Sequence, residues 1–106
     1  MDGEAYLIKT SHVQNNIGTW EENTTEIKIF VSEKSMSRSE WYNAGQSGFK
    51  PEILLVTPYI NYSGEETIRY NNKLYSIYRT YIRENSDNIE LYLSEKVGNN
   101  VEKSGS

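Results

Sequence analysis

Thr67-Ile68-Arg69-Tyr70-Asn71-Asn72-Lys73-Leu74-Tyr75-Ser76-Ile77 is the stretch that decides the fold. Two short runs of β-branched and aromatic residues flank a pair of asparagines. Asn accepts the left-handed backbone that both central positions of a type I′ turn require. The turn therefore folds Thr67-Ile68-Arg69-Tyr70 back on Leu74-Tyr75-Ser76-Ile77 as an antiparallel hairpin, whose second strand can run on to Arg83.

Toward the C-terminus, residues 84–87 are polar and turn-like. Residues 88–95 alternate, with Ile89, Leu91 and Leu93 on one face and Glu90, Tyr92 and Ser94 on the other. The tail, residues 99–106, carries no packing signal and is expected to be disordered, leaving residues 1–98 as one domain.

Toward the N-terminus, residues 59–65 read as a loop, and Ile53-Leu54-Leu55-Val56-Thr57 as a strand buried on both faces. Before it, Ser37-Arg38-Ser39-Glu40 fits a capping box, in which Ser37 and Glu40 each accept from the other's backbone amide. Gly48 suits a left-handed C-terminal cap and Pro51 bars continuation, so residues 38–47 form one short helix. Gly45 inside that helix costs about 1 kcal/mol against Ala. The helix must then be held by packing, and Trp41, which shares a face with Ala44, is the expected core anchor.

Residues 26–31 alternate strictly, with Ile27, Ile29 and Val31 facing inward and Glu26, Lys28 and Phe30 facing out. Residues 14–18 carry turn chemistry, and residues 19–23 continue as a loop bearing Trp20. Residues 5–12 form the first strand. The whole reads as a mainly β domain, a small antiparallel β-barrel of about six strands with one short helix inserted around residues 38–47.

Composition narrows the function. The 106 residues contain no cysteine, which excludes disulfides and thiolate metal sites. No apolar run approaches the roughly 20 residues that span a bilayer, and the acidic start Met1-Asp2-Gly3-Glu4 does not resemble a secretory signal. The net charge is −4, and the 11 Lys and Arg are scattered singly, which disfavours tight nucleic-acid binding. Nine tyrosines suit half-buried strands and wet interaction surfaces alike.

Candidate chemistry is sparse. His12, the single histidine, has no cysteine to help it hold a metal. The pairs Glu21-Glu22 and Glu65-Glu66 are adjacent, so on a strand their side chains diverge and cannot flank a substrate. Glu84-Asn85-Ser86-Asp87 is too short for a calcium loop, and Gly45-Gln46-Ser47-Gly48 lacks the lysine of a phosphate loop. No catalytic, cofactor or metal residue is assigned. Trp20, Tyr59 and Tyr62, aromatic and in expected loops, are the interface candidates.

One resemblance goes further. Ser39-Glu40-Trp41-Tyr42, Ala44, Gly48-Phe49-Lys50-Pro51-Glu52, Tyr62-Ser63-Gly64-Glu65, Ile68-Arg69-Tyr70-Asn71-Asn72-Lys73, Tyr75-Ser76-Ile77-Tyr78-Arg79-Thr80-Tyr81 and Ile89-Glu90-Leu91 follow in order. In that order and spacing they resemble the head–tail joining, or head-closure (stopper), proteins of long-tailed bacteriophages, over roughly residues 5–97. Asn72 departs from the Gly that relatives tend to carry in the turn.

The resemblance implies a β-barrel virion protein, not an enzyme, made in the bacterial cytoplasm and built into the phage neck without a cofactor. It implies a ring of identical copies, dodecameric in well-known relatives, docked between the adaptor and portal above and the tail terminator below. The ring would close the DNA channel after packaging, and DNA would later pass through its lumen without specific binding. A loop from each copy would gate the lumen, and residues 15–25 and 31–52 are the stretches long enough to do so. Two alternatives stand: a tail-completion or adaptor protein of the same neck, and an OB-type module that binds single-stranded nucleic acid on aromatics beside a cationic groove.

Overall fold

A computed structural model describes residues 2–14, 18 and 20–95. Six strands close into an antiparallel barrel: β1 (Asp2–Gln14), β2 (Trp20–Lys34), β3 (Pro51–Pro58), β4 (Thr67–Tyr70), β5 (Lys73–Tyr81) and β6 (Asn88–Glu95). Their order around the barrel is β1-β2-β3-β6-β5-β4, with β4 returning to β1. The helix α1 (Arg38–Gln46) lies between β2 and β3, and a single 3-10 turn (Tyr59–Asn61) follows β3. The mainly β barrel with one short inserted helix is thus present. No helix among the described residues is long and apolar enough to cross a membrane.

The decisive hairpin forms as its sequence requires. Tyr70 pairs with Lys73 across Asn71 (φ 53°) and Asn72 (φ 64°), both left-handed. Asn at the second position therefore adopts the left-handed backbone that the turn needs.

Alternation builds the core. Every strand sends residues inward: Ala5 and Leu7, Ile29 and Val31, Leu55, Ile68 and Tyr70, Tyr75, and Ile89, Leu91 and Leu93. Their registers match: Ala5 opposite Ile29, Leu7 opposite Ile68, Ile68 opposite Tyr75, and Leu55 opposite Leu91. Closure removes sheet edges and buries both ends of each pair against the far wall. Thr57, fully buried, donates from its hydroxyl to the Phe30 carbonyl at 2.8 Å and accepts from Asn61 Nδ2 at 2.9 Å, tying β3 to β2 and to the 3-10 turn.

Some expectations shift. β1 and β2 are longer than their hydrophobic patterns, because polar residues 9–14 and 20–25 continue the ladder. Trp20 to Asn23 is therefore strand rather than loop, and much of the stretch 15–25 proposed as a gate is the start of β2. Ile27 has inward parity but sits at the barrel rim, 40% exposed, because its neighbours toward Trp20 lie past the end of β4. The expected tail, residues 99–106, lies outside the described residues.

Trp41 is not the core anchor: it is 52% exposed. Glu40 and Ala44, one turn apart, face the barrel instead, and a residue next to Glu40 is rotated by about 100° away from that stripe. The helix C-terminus behaves as expected. Gly48 (φ 89°) donates to the Gly45 carbonyl and Phe49 to the Ala44 carbonyl, the paired bonds of a Schellman cap.

Candidate interaction surfaces

The outer wall of β5 and β6 carries a second, polar layer under α1. Ser37 accepts from the Glu40 amide at 3.1 Å, which starts the helix. The reciprocal half of the expected capping box does not form. The Glu40 carboxylate turns to the barrel, accepting from Tyr78 Oη at 2.8 Å and from Arg79 Nη2 at 2.7 Å. Both donors reach one carboxylate because the β5–β6 register shifts between Ile77 and Arg79. A bulge inserts one residue and re-aims the side chains beside it. Here Tyr78 is the inserted residue, and it falls on the helix side together with Arg79.

The network spreads from there. Phe49, placed by the Schellman cap, stacks on Tyr78 with ring centroids 4.8 Å apart. The Arg79 guanidinium lies 4.1 Å from the Tyr92 ring centroid. Tyr92 donates to Glu90 at 2.6 Å, and Arg83 Nε donates to the other Glu90 oxygen at 2.7 Å. Burial is the main reason that the Tyr78 and Tyr92 hydroxyls ionise late, with their carboxylate partners adding to it; Tyr92 is pushed up to about 12. The bond from Glu40 is the main reason that the Arg79 guanidinium holds its proton more tightly than usual.

Chemically this is a fastener. An open groove of about 510 Å³ beside α1 is lined by Glu40, Asn43, Ala44, Ser47, Phe49, Tyr78 and Arg79. Within it the Glu40 carboxylate is paired with the Arg79 guanidinium. Among the described residues, no three His, Asp or Glu side chains are placed to hold a metal ion.

Most large exposed apolar side chains gather in two places, with Ile27, Phe30 and Leu74 apart from them on strands β2 and β5. Trp41, Tyr42 and Phe49 lie on and just after α1. Tyr59, Ile60, Tyr81 and Ile82 lie at one end of the barrel, since Pro58 is opposite Asn88 and Tyr81 is opposite Glu90 at the start of β6. Ile60 is 82% exposed and Tyr42 68%. Such clusters mark contact surfaces more often than lone exposed residues do.

The sequence-based interface candidates separate. Tyr59 is half exposed in the 3-10 turn, where its amide donates to the Asp87 carbonyl. Tyr62 packs against the core and donates from its hydroxyl to the Glu65 carbonyl at 2.7 Å. Trp20 opens β2 opposite Gln14, away from both, and its side chain and that of His12 lie outside what is described. Tyr42, Phe49 and Ile60 are exposed residues that sequence reasoning passed over, and Trp41 is an exposed one that it assigned to the core. The four-residue spacing of Glu40 and Ala44 was the available signal for Trp41, but nothing in the sequence shows that the helix turns a carboxylate inward. In comparison with known proteins, no family model matches the chain and no curated protein matches it.

Proposed function

We propose that the protein is a structural subunit of the neck of a long-tailed bacteriophage, with no catalysis and no cofactor. In this reading identical copies form a ring that joins head to tail and closes the DNA channel after packaging. The adaptor and portal sit above it and the tail terminator below.

The observation that carries this reading is the convergence of the sequence landmarks. Glu40 of Ser39-Glu40-Trp41-Tyr42 bonds to Tyr78 and Arg79 of Tyr75-Ser76-Ile77-Tyr78-Arg79-Thr80-Tyr81. Phe49 of Gly48-Phe49-Lys50-Pro51-Glu52 stacks on the same Tyr78, and Glu90 of Ile89-Glu90-Leu91 joins through Tyr92. Residues that carry the resemblance thus form one fastener between the inserted helix and the barrel wall. A chance likeness spread over so many separate runs has no reason to meet at one place. The two exposed apolar clusters supply different faces, as a head-to-tail ring contact needs.

Immunogold labelling of particles of the phage that encodes the chain tests the reading. Label at the neck, kept on DNA-filled heads and absent from free tails, is the expected result. Label on free tails moves the protein to tail completion, and label on no particle removes the structural reading.

A further inference from the structure

Past Ile8 and Glu26 the β1–β2 pair leaves the barrel. β4 pairs with β1 only over residues 5–8, and β3 pairs with β2 only over residues 32–34. The pair itself runs on, from Lys9 opposite Thr25 to Gln14 opposite Trp20. Residues 9–14 and 20–25 thus form a two-stranded arm with six residues in each strand. Among the described residues, no strand pairs with either outer edge of this arm.

A two-stranded ribbon is marginal in water, and its open edges present rows of unpaired backbone donors and acceptors. Proteins usually guard such edges with proline, bulges or charged side chains. This arm has no proline and no bulge, since its register is unbroken and both prolines of the chain lie in β3, and its charged residues are Lys9, Glu21 and Glu22. Of the arm's described side chains, Lys9, Thr10, Ser11, Asn23, Thr24 and Thr25 are all polar and exposed.

We propose that the arm joins copies of this chain: the outer edge of β1, residues 9–14, hydrogen-bonds to the outer edge of β2, residues 20–25, in the next copy. A second copy fits better than a foreign strand for three reasons. The stretch of β2's outer edge that β3 leaves unpaired, residues 20–31, is long enough to cover the six residues 9–14 of β1's open edge. They lie on opposite sides of one hairpin, so each copy offers one edge and accepts the other. β1 runs away from the barrel and β2 runs toward it, so rotation about an axis along the arms sets β1 antiparallel to its neighbour's β2. A foreign strand satisfies one edge and leaves the other open. A circle of arms closes into an antiparallel sheet with two strands per copy and no edge left over. This inference rests on the ring reading and names the element that makes the ring.

The chain has no cysteine, so introduced thiols are the sole ones. Ser11 and Asn23 are opposite each other within one copy, hence at one height along the arm, and rotation preserves that height. Ser11→Cys and Asn23→Cys proteins, prepared separately, are mixed at the highest soluble concentration, oxidised and weighed by mass spectrometry. Disulfide dimers containing one of each should exceed same-variant dimers several-fold. A variant with residues 10–24 replaced by Asn-Gly, joining Lys9 to Thr25, should keep the barrel's unfolding transition and be monomeric by light scattering. Same-variant dimers alone, no disulfide dimers at all, or an arm-shortened protein that still assembles would overturn arm pairing and leave the ring standing. A full-length protein that stays monomeric yet labels the neck also overturns it, whereas absence from the neck removes the ring reading itself.

Discussion

Glu40 shows how one side chain can hold an element in place. It is nearly buried and accepts from Tyr78 and Arg79 at once. Arg79 is partly exposed, so water screens its share, and the Glu40→Ala protein should lose about 1–2 kcal/mol, read by urea denaturation. Tyr78→Phe keeps the stacking on Phe49 and loses one hydroxyl bond, so its loss should be nearer 1 kcal/mol. Equal losses for both variants would mean that the Arg79 bond contributes nothing. The same tyrosines set an alkaline limit. In the folded chain burial holds the Tyr78 and Tyr92 hydroxyls protonated well above the ordinary value of 10.0, Tyr92 to about 12. The unfolded chain therefore releases these protons first. Stability from this source is complete below pH 10, declines as pH rises, and is gone once the folded hydroxyls ionise, at about 12 for Tyr92. Urea midpoints measured from pH 9 upward should fall over that window, and the fall should shrink in Tyr92→Phe. A midpoint that stays flat up to pH 12 contradicts the burial of both rings.

At the scale of the element, α1 and its exit make a test in which one substitution gives opposite signs. Gly45 is inside the helix and Gly48 is its left-handed cap, and an added Cβ meets nothing within 4 Å at either. Sterics with neighbours are therefore equal, and only the backbone differs. Gly45→Ala should stabilise by about 0.5–1 kcal/mol through helix propensity. Gly48→Ala should destabilise by about 1 kcal/mol, because its φ of 89° is foreign to residues with a Cβ. Thermal unfolding of both variants checks this, and a shift of the same sign in both refutes the cap. These turns and caps were legible in the sequence because their rules are local: two asparagines select a hairpin, and a glycine before Pro51 ends a helix. The alternation of β6 was legible for the same reason. The orientation of α1 was not, since a short helix offers both Trp41 and Glu40 as anchors. The choice is made by the bulge at Tyr78, which lies almost 40 residues away in the chain. The length of β1 and β2 was hidden as well, because polar residues 9–14 and 20–25 hold each other by backbone pairing, which hydrophobic patterning does not report.

For the whole molecule, the closed barrel separates what folds the chain from what it offers to partners. Leu55 and Leu91 are fully buried and opposite each other, so Leu91→Ala should cost about 2–5 kcal/mol. The exposed clusters are different. Tyr42 and Ile60 project from α1 and from the barrel end, and neither belongs to the core. Tyr42→Ala and Ile60→Ala should each leave stability within about 0.5 kcal/mol of the parent, as surface substitutions do. If these clusters are the contact faces of a neck subunit, each variant should nevertheless be depleted from purified particles, because truncating a central apolar side chain weakens a contact without unfolding its owner. Normal incorporation of both variants would assign docking to other surfaces, the arm among them. Nucleic-acid binding supplies the contrast. The chain is acidic overall, and the arginines beside its aromatic rings are engaged: Arg69 with Glu26, Arg79 with Glu40 and Arg83 with Glu90. A single-strand-binding module needs such cations free along a groove of stacking rings. Filter binding of single-stranded DNA at low salt should therefore show no retention. Retention that falls steeply with added salt would favour the OB-type alternative, since displaced counterions leave that signature and a passive conduit does not.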